Sequence, residues 1–302
     1  MALVSVSIGP APPLQAKTNK YKIALCQLQV TPDKDGNIAH ARARIEAAAT
    51  AGAKLVVLPE IWNCPYAMET LPSYAEDIDG GGSPSVSMLS EVAAARKITV
   101  VGGSIPERSS GQLFNTCCVI GPGGEIKAKH RKLHLFGIDI PGDITFRESD
   151  TFTAGQELTV VDTDVGRIGI GICHDIRFPE LAMLYRSRGA HLMCYPSAFN
   201  MSTGKLLWDL MQKSRAVDNQ LFVATCSPAR DTNSHSEYMI WGHSSLIGPF
   251  GEVLAAAGHE EATIIGEIDL SLIEAVREHL PLETQSRGDL YRLVDVQREY
   301  AS

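Results

Sequence analysis

Short apolar runs, each halted by Gly, Pro or charge and separated by helix-length stretches, recur along the chain and limit its architecture. Tyr21 to Val30 reads as a buried first strand. Asp35 to Ala51 follows, rich in alanine and charge, with Ile38, Ile45 and Ala49 at helical spacing and Gly52 as the stop. Lys54 to Leu58 is the next strand, Pro84 to Lys97 the next helix, and Ile98 to Val101 a third strand before the Gly102-Gly103 break. A strand–helix–strand rhythm of this kind implies parallel strands covered by helices.

The middle of the chain changes character. Leu113 to Ile120 and Glu125 to His130 flank Gly121-Pro-Gly-Gly124 and read as a hairpin; Leu158 to Asp162 and Arg167 to Ile172 read as another. Pro179 to Arg188 and Lys205 to Asn219 are helical, while His191 to Tyr195 and Leu221 to Cys226 are strands. Ser244 to Gly248 with Gly258 to Glu267 repeats a strand–turn–strand pattern around Pro249-Phe-Gly251. Hairpin insertions favour mixed sheets, and the strand count is high for one open sheet, so an α/β fold with two packed sheets is expected.

No linker or short repeat divides residues 21–280, which read as one domain. Leu270 to His279 closes it as a helix. The tail from Pro281 to Ser302 lacks a strong period and reads as an arm able to reach across a partner subunit. Residues 1–20, rich in Ala, Ser and Pro and lacking acids, read as a flexible tail or the remnant of an organelle transit segment. Ile8-Gly-Pro-Ala-Pro-Pro13 would interrupt a signal-peptide core. Cytoplasm and an organelle (chloroplast or mitochondrion) both stay open.

A formal charge of −8 argues against a general nucleic-acid binder, which needs a positive footprint. No apolar run approaches the ~20 residues of a membrane span. The seven cysteines form no CxxC pair, which disfavours zinc-ribbon and thioredoxin-type readings and favours a reducing compartment. Gly80-Gly-Gly82 and Gly121 to Gly124 lack the residues and spacing of phosphate or dinucleotide loops and read as turns.

Three segments carry chemistry. In Gly169-Ile-Gly-Ile-Cys173-His-Asp-Ile-Arg177-Phe-Pro-Glu180 an apolar run ends at a glycine-flanked cysteine followed by charge. Such a cysteine can present its sulfur to a substrate while nearby backbone amides face the attacked carbon, or it can be a buried structural thiol. Asp175 and Arg177 would then serve the site or pair to fix the turn. Leu55-Val-Val-Leu-Pro-Glu60 ends a strand in a carboxylate, readable as a general base or as a capping or surface residue. Lys132, in Lys129-His-Arg-Lys132-Leu-His-Leu-Phe136, can stabilise an oxyanion or belong to a solvated charge run. His130, His134 and His174 invite a metal, yet no compact metal motif joins them, and none is expected.

These three segments, in this order, resemble the nitrilase superfamily of carbon–nitrogen hydrolases over Tyr21 to about Val276, nearly the whole chain. Within it, Ile61-Trp-Asn-Cys-Pro-Tyr66 and Ile144-Thr-Phe-Arg-Glu148-Ser are most similar to the omega-amidase branch. The resemblance implies a four-layer α-β-β-α sandwich of two packed mixed sheets, paired into a homodimer, with no cofactor. It implies hydrolysis of the terminal amide of small α-keto acid amides such as α-ketoglutaramate and α-ketosuccinamate through a cysteine thioester. Glu60 matches the general base, Lys132 the intermediate-stabilising lysine, Cys173 the nucleophile, and Glu148 a second glutamate positioning the lysine and substrate.

The backbone N–H of His174 would join Lys132 in holding the oxyanion. Arg177 could fork onto a substrate carboxylate or pair with Asp175 or Glu180. Phe199 could limit substrate length or fill core, Thr203 could donate a hydroxyl hydrogen bond, and Tyr66 is a further pocket candidate. Gly137 stands where many relatives carry aspartate, which bears on fine specificity. Two other readings stay open: an amidase of the same superfamily acting on deaminated glutathione or a carbamoyl-type substrate, and a non-catalytic small-molecule binder.

Overall fold

The computed structural model describes residues 19–140, 144–231 and 238–299, so all but the last two residues of the expected N-terminal tail lie outside the described residues. The chain opens with β1 (Lys20–Gln27), α1 (Lys34–Thr50), β2 (Ala53–Val57), the one-turn α2 (Leu71–Tyr74), α3 (Pro84–Arg96) and β3 (Thr99–Val101). β4 (Ile105–Ser109), β5 (Gln112–Ile120) and β6 (Ile126–Arg131) follow, then the small hairpin β7 (Gly137–Ile140) and β8 (Ile144–Arg147).

The second half begins with β9 (Thr159–Thr163) and β10 (Gly166–Ile170), and a 3-10 turn over Cys173–Arg177 leads into α4 (Pro179–Ser187). β11 (Leu192–Pro196), α5 (Met201–Asn219), β12 (Phe222–Cys226), β13 (Ser245–Ile247), β14 (Val253–Ala256), β15 (Ala262–Asp269) and α6 (Ser271–His279) come next. Two short turns, α7 (Leu282–Gln285) and α8 (Val296–Glu299), end it.

Local chemistry sets these helix starts. Asp33 accepts from Gly36 N at 3.0 Å ahead of α1. Ser83 accepts from Val86 N at 3.2 Å ahead of α3, with Pro84 in the first turn where its missing N–H is harmless. Asn200 does the same for Thr203 N at 2.9 Å ahead of α5.

The strands form two mixed sheets. The first runs β15-β1-β2-β3-β5-β4 with β6 also on β5; the second runs β14-β13-β12-β11-β10-β9. Each has parallel strands at its centre, β1/β2/β3 and β10/β11/β12, flanked by antiparallel ones.

Side-chain alternation along a strand assigns the layers. Ile23 and Leu25 of β1, with Leu55 and Val57 of β2, join Ile168, Ile170 and Val223 of the second sheet in one core. Ala24, Cys26 and Val56 face the other way and pack with Ala41, Ile45 and Ala48 of α1 and Val86, Leu89 and Val92 of α3. Leu181 and Tyr185 of α4 and Trp208 and Ala216 of α5 cover the second sheet. The order is helix, sheet, sheet, helix: the expected four-layer sandwich.

Three elements differ from the sequence reading. β4 was unforeseen because Pro106 sits inside it, which is tolerated here because the strand lies at the sheet edge. Ser244 to Gly248 does not pair with Gly258 to Glu267: β13 pairs with β14, and β15 crosses to the first sheet, where it pairs antiparallel with β1. The segment after Phe136 forms the β7–β8 hairpin. The tail after Pro281 folds back on its own chain, since Asp295 takes both Nε and Nη2 of Arg188 at 2.7 and 2.8 Å.

Candidate active site

Glu60 and Cys173 stand just beyond the carboxyl ends of parallel strands, β2 in one sheet and β10 in the other, and Lys132 follows β6. At both strand ends the backbone turns sharply through a left-handed residue. Ile61 has φ 49° and Cys173 has φ 47°, conformations rare for side-chain-bearing residues and unusual above all for a β-branched one. The bend at Ile61 is held by Ser104, whose Oγ accepts Ile61 N at 3.1 Å, and by Trp62, whose Nε1 donates to Gly102 O at 2.7 Å.

Asp175 holds the bend at Cys173. Its Oδ2 accepts Ile172 N at 2.8 Å and lies 3.3 Å from His130 Nε2, while Oδ1 accepts His134 N at 2.9 Å and lies 2.7 Å from His134 Nδ1. Burial works against the Asp175 charge, but these bonds more than offset it and hold the carboxyl well below the usual range. Of the alternatives left open for Arg177, the pair with Asp175 is not formed: Asp175 is taken by His130 and His134, the histidines flanking Lys132. Gly171 leaves room for this turn: a Cβ there would meet the Tyr195 ring at 2.6 Å.

Glu60, Lys132 and Glu148 are wholly buried together. Lys132 Nζ donates to Glu60 Oε1 at 3.0 Å and to Glu148 Oε1 at 2.8 Å. Asn115 Nδ2 donates to the same Glu60 oxygen at 2.8 Å. Glu148 also accepts Tyr66 OH at 2.6 Å and Phe136 N at 2.7 Å. Glu60 Oε2 has no hydrogen bond of full geometry among the described residues, and the Cys173 thiol is a neighbouring donor whose approach eases the carboxyl's charge.

Burial raises the proton affinity of Glu60; Lys132 opposes that and Glu148 adds to it. Burial also works against the Lys132 charge, but Glu148 and Glu60 keep it an ammonium. The Cys173 thiol is pushed well up, first by burial and then by Glu60, with Lys132 and the backbone N–H of Ala198 pulling the other way. The sulfur is therefore a neutral thiol at rest, beside a carboxylate with one open oxygen: an arrangement for moving a proton during attack.

A cavity of about 310 Å³ opens onto Cys173, lined among others by Phe136, Gly137, His174, Arg177, Phe199 and Thr203. Glu60, Lys132 and Glu148 lie behind it. Arg177 is exposed and its guanidinium has no ion-pair partner among the described residues, whereas Phe199 packs edge-on against Trp208 at 5.1 Å. His174 is held neutral, its pKa brought down to about 4 by burial and by the Lys132 charge. Its backbone N–H lies in the first turn of the 3-10 segment, where N–H groups lack an intrahelical acceptor.

Two pocket candidates behave differently from the sequence reading. Thr203 Oγ1 already donates to Asn200 Oδ1 at 2.8 Å, so it has lone pairs, not a proton, to offer. Tyr66 is not among the cavity-lining residues; its hydroxyl is committed to Glu148 and its ring stacks on Tyr238 at 4.8 Å. A Cβ on Gly137 would meet nothing within 4 Å. Sequence reasoning missed Asn115, Ala198 and Tyr238. The spacing of His130 and His134 on either side of Lys132, read with Asp175 two residues after Cys173, was the one signal for the clamp.

The model of the carbon-nitrogen hydrolase family matches residues 22–278, and the chain belongs to that family. It is an amidase of the type that uses a cysteine nucleophile. Its similarity extends to particular members. It is 66% identical to the chloroplastic omega-amidase of Arabidopsis thaliana, over 96% of this chain and 77% of that one. To the human omega-amidase NIT2 it is 50% identical, over 90% of this chain and 96% of the other. Among solved structures, Nit3 of Saccharomyces cerevisiae superposes with a TM-score of 0.82 at 42% identity, covering 90% of this chain and all of the other.

Proposed function

We propose that the chain is an omega-amidase that releases ammonia from the terminal amide of short α-keto acid amides, with Cys173, Glu60, Lys132 and Glu148 as its catalytic group. The observation that carries the substrate class is the Arg177 guanidinium, without an ion-pair partner among the described residues, on a small cavity whose floor is Cys173. A carboxylate bound there places the far amide of a short chain toward the sulfur, and Phe199 limits the length accepted. The high identity to omega-amidases supports the same reading.

In this mechanism Glu60 takes the thiol proton as Sγ attacks the amide carbon. Lys132 and the N–H of His174 hold the oxyanion. The carbon–nitrogen bond breaks as Glu60 passes its proton to nitrogen, which leaves as ammonia and a thioester on Cys173. Water then gives a proton to Glu60 and adds to the thioester carbon; the carbon–sulfur bond breaks, sulfur recovers the proton and the keto diacid departs. Each oxyanion donor is worth about 3–4 kcal/mol in comparable sites. Glu148 keeps the ammonium in place through both halves.

The test is ammonia release from α-ketoglutaramate and α-ketosuccinamate, with glutamine, deaminated glutathione and an aliphatic nitrile alongside, for the native chain and Cys173→Ala. Selective turnover of the keto amides, lost in the variant, supports the reading. Preference for deaminated glutathione moves the substrate to the sister reading; turnover surviving in Cys173→Ala sinks the mechanism.

The partner is a second copy. Leu206, Leu210 and Val217 form one stripe on the outer face of α5, 74%, 60% and 43% exposed, and Gly251 beside Phe250 comes up against Val217. Light scattering on Leu210→Asp tests this: a monomer is the expected result, and an unchanged mass removes this face as the interface.

A further inference from the structure

Several arginines hold a carboxylate with both oxygens engaged. Arg131 on Glu107, Arg167 on Asp162 and Arg188 on Asp295 each use the side-on edge made by Nε and Nη2. This fork matches the two oxygens of a carboxylate or phosphate. Arg277, in the last turn of α6, has the same edge shut off from solvent, yet among the described residues neither Nε nor Nη2 has a partner. Arg186, in the last turn of α4, has a buried Nε that is likewise unpartnered among them.

The two arginines belong to one place. Gln220, which ends α5, accepts Arg186 Nη2 at 3.4 Å and donates Nε2 to Leu280 O at 2.6 Å, and at the 3.5 Å limit to Val276 O, the residue before Arg277. Each guanidinium is also disfavoured by its surroundings, Arg277 down to about 10 by burial and then by the charge of Arg186. The acid at hand is Glu283 of α7, 3.6 Å from Arg186, with its side chain largely in solvent. Position in the last helical turn explains why positive charge is tolerated. It does not explain an empty bidentate edge, because buried donors left without acceptors cost about 1–3 kcal/mol each.

We propose that Arg277 and Arg186 form an oxyanion site, separate from the cavity over Cys173, that takes a small carboxylate or phosphate on the Nε–Nη2 edge of Arg277. Arg186 supplies the second cation, and Glu283 competes from the solvent side. The site lies at the carboxyl ends of α4 and α5, whereas Cys173 precedes the start of α4 and Thr203 lies in the first turn of α5. Those two helices therefore run between the site and the cavity.

Calorimetric titration of inorganic phosphate and of succinate into the full chain tests the proposal, and its two arms separate the sources of the oxyanion. Saturable binding of at least one anion is expected. Arg277→Gln should weaken it by about tenfold or more, as should Arg277→Lys, which keeps charge but loses the fork. Glu283→Gln should tighten it. Arg177→Ala removes any succinate held in the cavity over Cys173 and should leave the Arg277-dependent phase unchanged. No saturable binding to the native chain or to Glu283→Gln overturns the proposal. So does binding that Arg277→Gln leaves undiminished, and so does loss of that phase in Arg177→Ala alone. Thermal melting by circular dichroism, followed in parallel, reports that each variant is folded.

Discussion

Two buried glutamates sit on opposite faces of the same strand pair and are treated in opposite ways. Successive residues serve them: Asn115 and Lys132 reach Glu60, while Thr116 and Arg131 reach Glu107. Glu107 has both oxygens held, Oε2 by Thr116 at 2.6 Å and Arg131 at 2.8 Å, Oε1 by Arg131 at 2.8 Å and Lys129 at 2.9 Å. Burial works against its charge, but those bonds bring its pKa down to about 2. Glu60 receives two bonds on one oxygen, none of full geometry on the other, and its proton affinity rises. A fully satisfied carboxylate is a structural anchor; an incompletely satisfied one is ready to take a proton.

Substitution breaks the comparison most sharply at Glu60. Glu60→Gln removes the proton acceptor and keeps the shape, so kcat for ammonia release should fall by about a hundredfold to ten-thousandfold with little change in melting temperature. A variant keeping a tenth of the native rate would remove Glu60 as the base. Glu107→Gln should do the reverse. It strands Arg131, while Lys129 keeps Asp79, and denaturant titration should show a loss of about 3–5 kcal/mol while turnover per folded molecule is kept.

The two glutamates should also slope oppositely with pH. The Glu107 carboxyl is depressed when folded, so its contribution is complete above the unfolded value near 4.5 and fades as pH falls toward about 2. The Glu60 carboxyl is raised when folded, so its ionisation works against stability as pH rises above the unfolded value. Denaturation midpoints against pH, compared with those of each glutamine variant, should lose these slopes one at a time.

Cations extend the comparison. Arg131 already has its carboxylate and Arg177 awaits one. Arg177→Ala should lower kcat/KM for the keto amide by about tenfold to a hundredfold, mainly through KM, and change a neutral aliphatic amide little. Equal losses on both substrates would assign Arg177 to folding. The smallest effect is expected from Tyr66→Phe, which takes one of the bonds from Glu148: about a few-fold to tenfold in kcat, with KM unchanged. A change in KM instead would return Tyr66 to the pocket wall.

Legibility in the sequence followed locality. Apolar runs with a glycine or proline stop gave β1, β2 and α3 within a few residues because the pattern and the stop are both local. β4 was hidden by Pro106, and β14 by its four residues and half-exposed sides. The departure of β15 from its sequence neighbours could not be read at all, because its partner lies at the other end of the chain. Within the candidate site, Glu60, Lys132 and Cys173 announce themselves by strand ends and charge. Asn115 lies in an apolar strand with no local mark, and only the pairing of β5 with β6 explains its presence beside Lys132. Whether Arg177 is paired or free depends on what else takes Asp175, a fact set by His130 and His134 some forty residues upstream.

The antiparallel pairing of β15 with β1 has a consequence for synthesis. Gln27 waits for Ala262, and Lys20 for Asp269, before the first sheet is closed on that side. At translation rates of about 5–20 residues per second, the apolar ladder Ile23-Ala-Leu-Cys26 stays an open edge for roughly 10 to 50 s after it is made. The nascent chain is thus most exposed to mispairing with its neighbours on the ribosome along its earliest strand, and a shortage of chaperones should be felt there first.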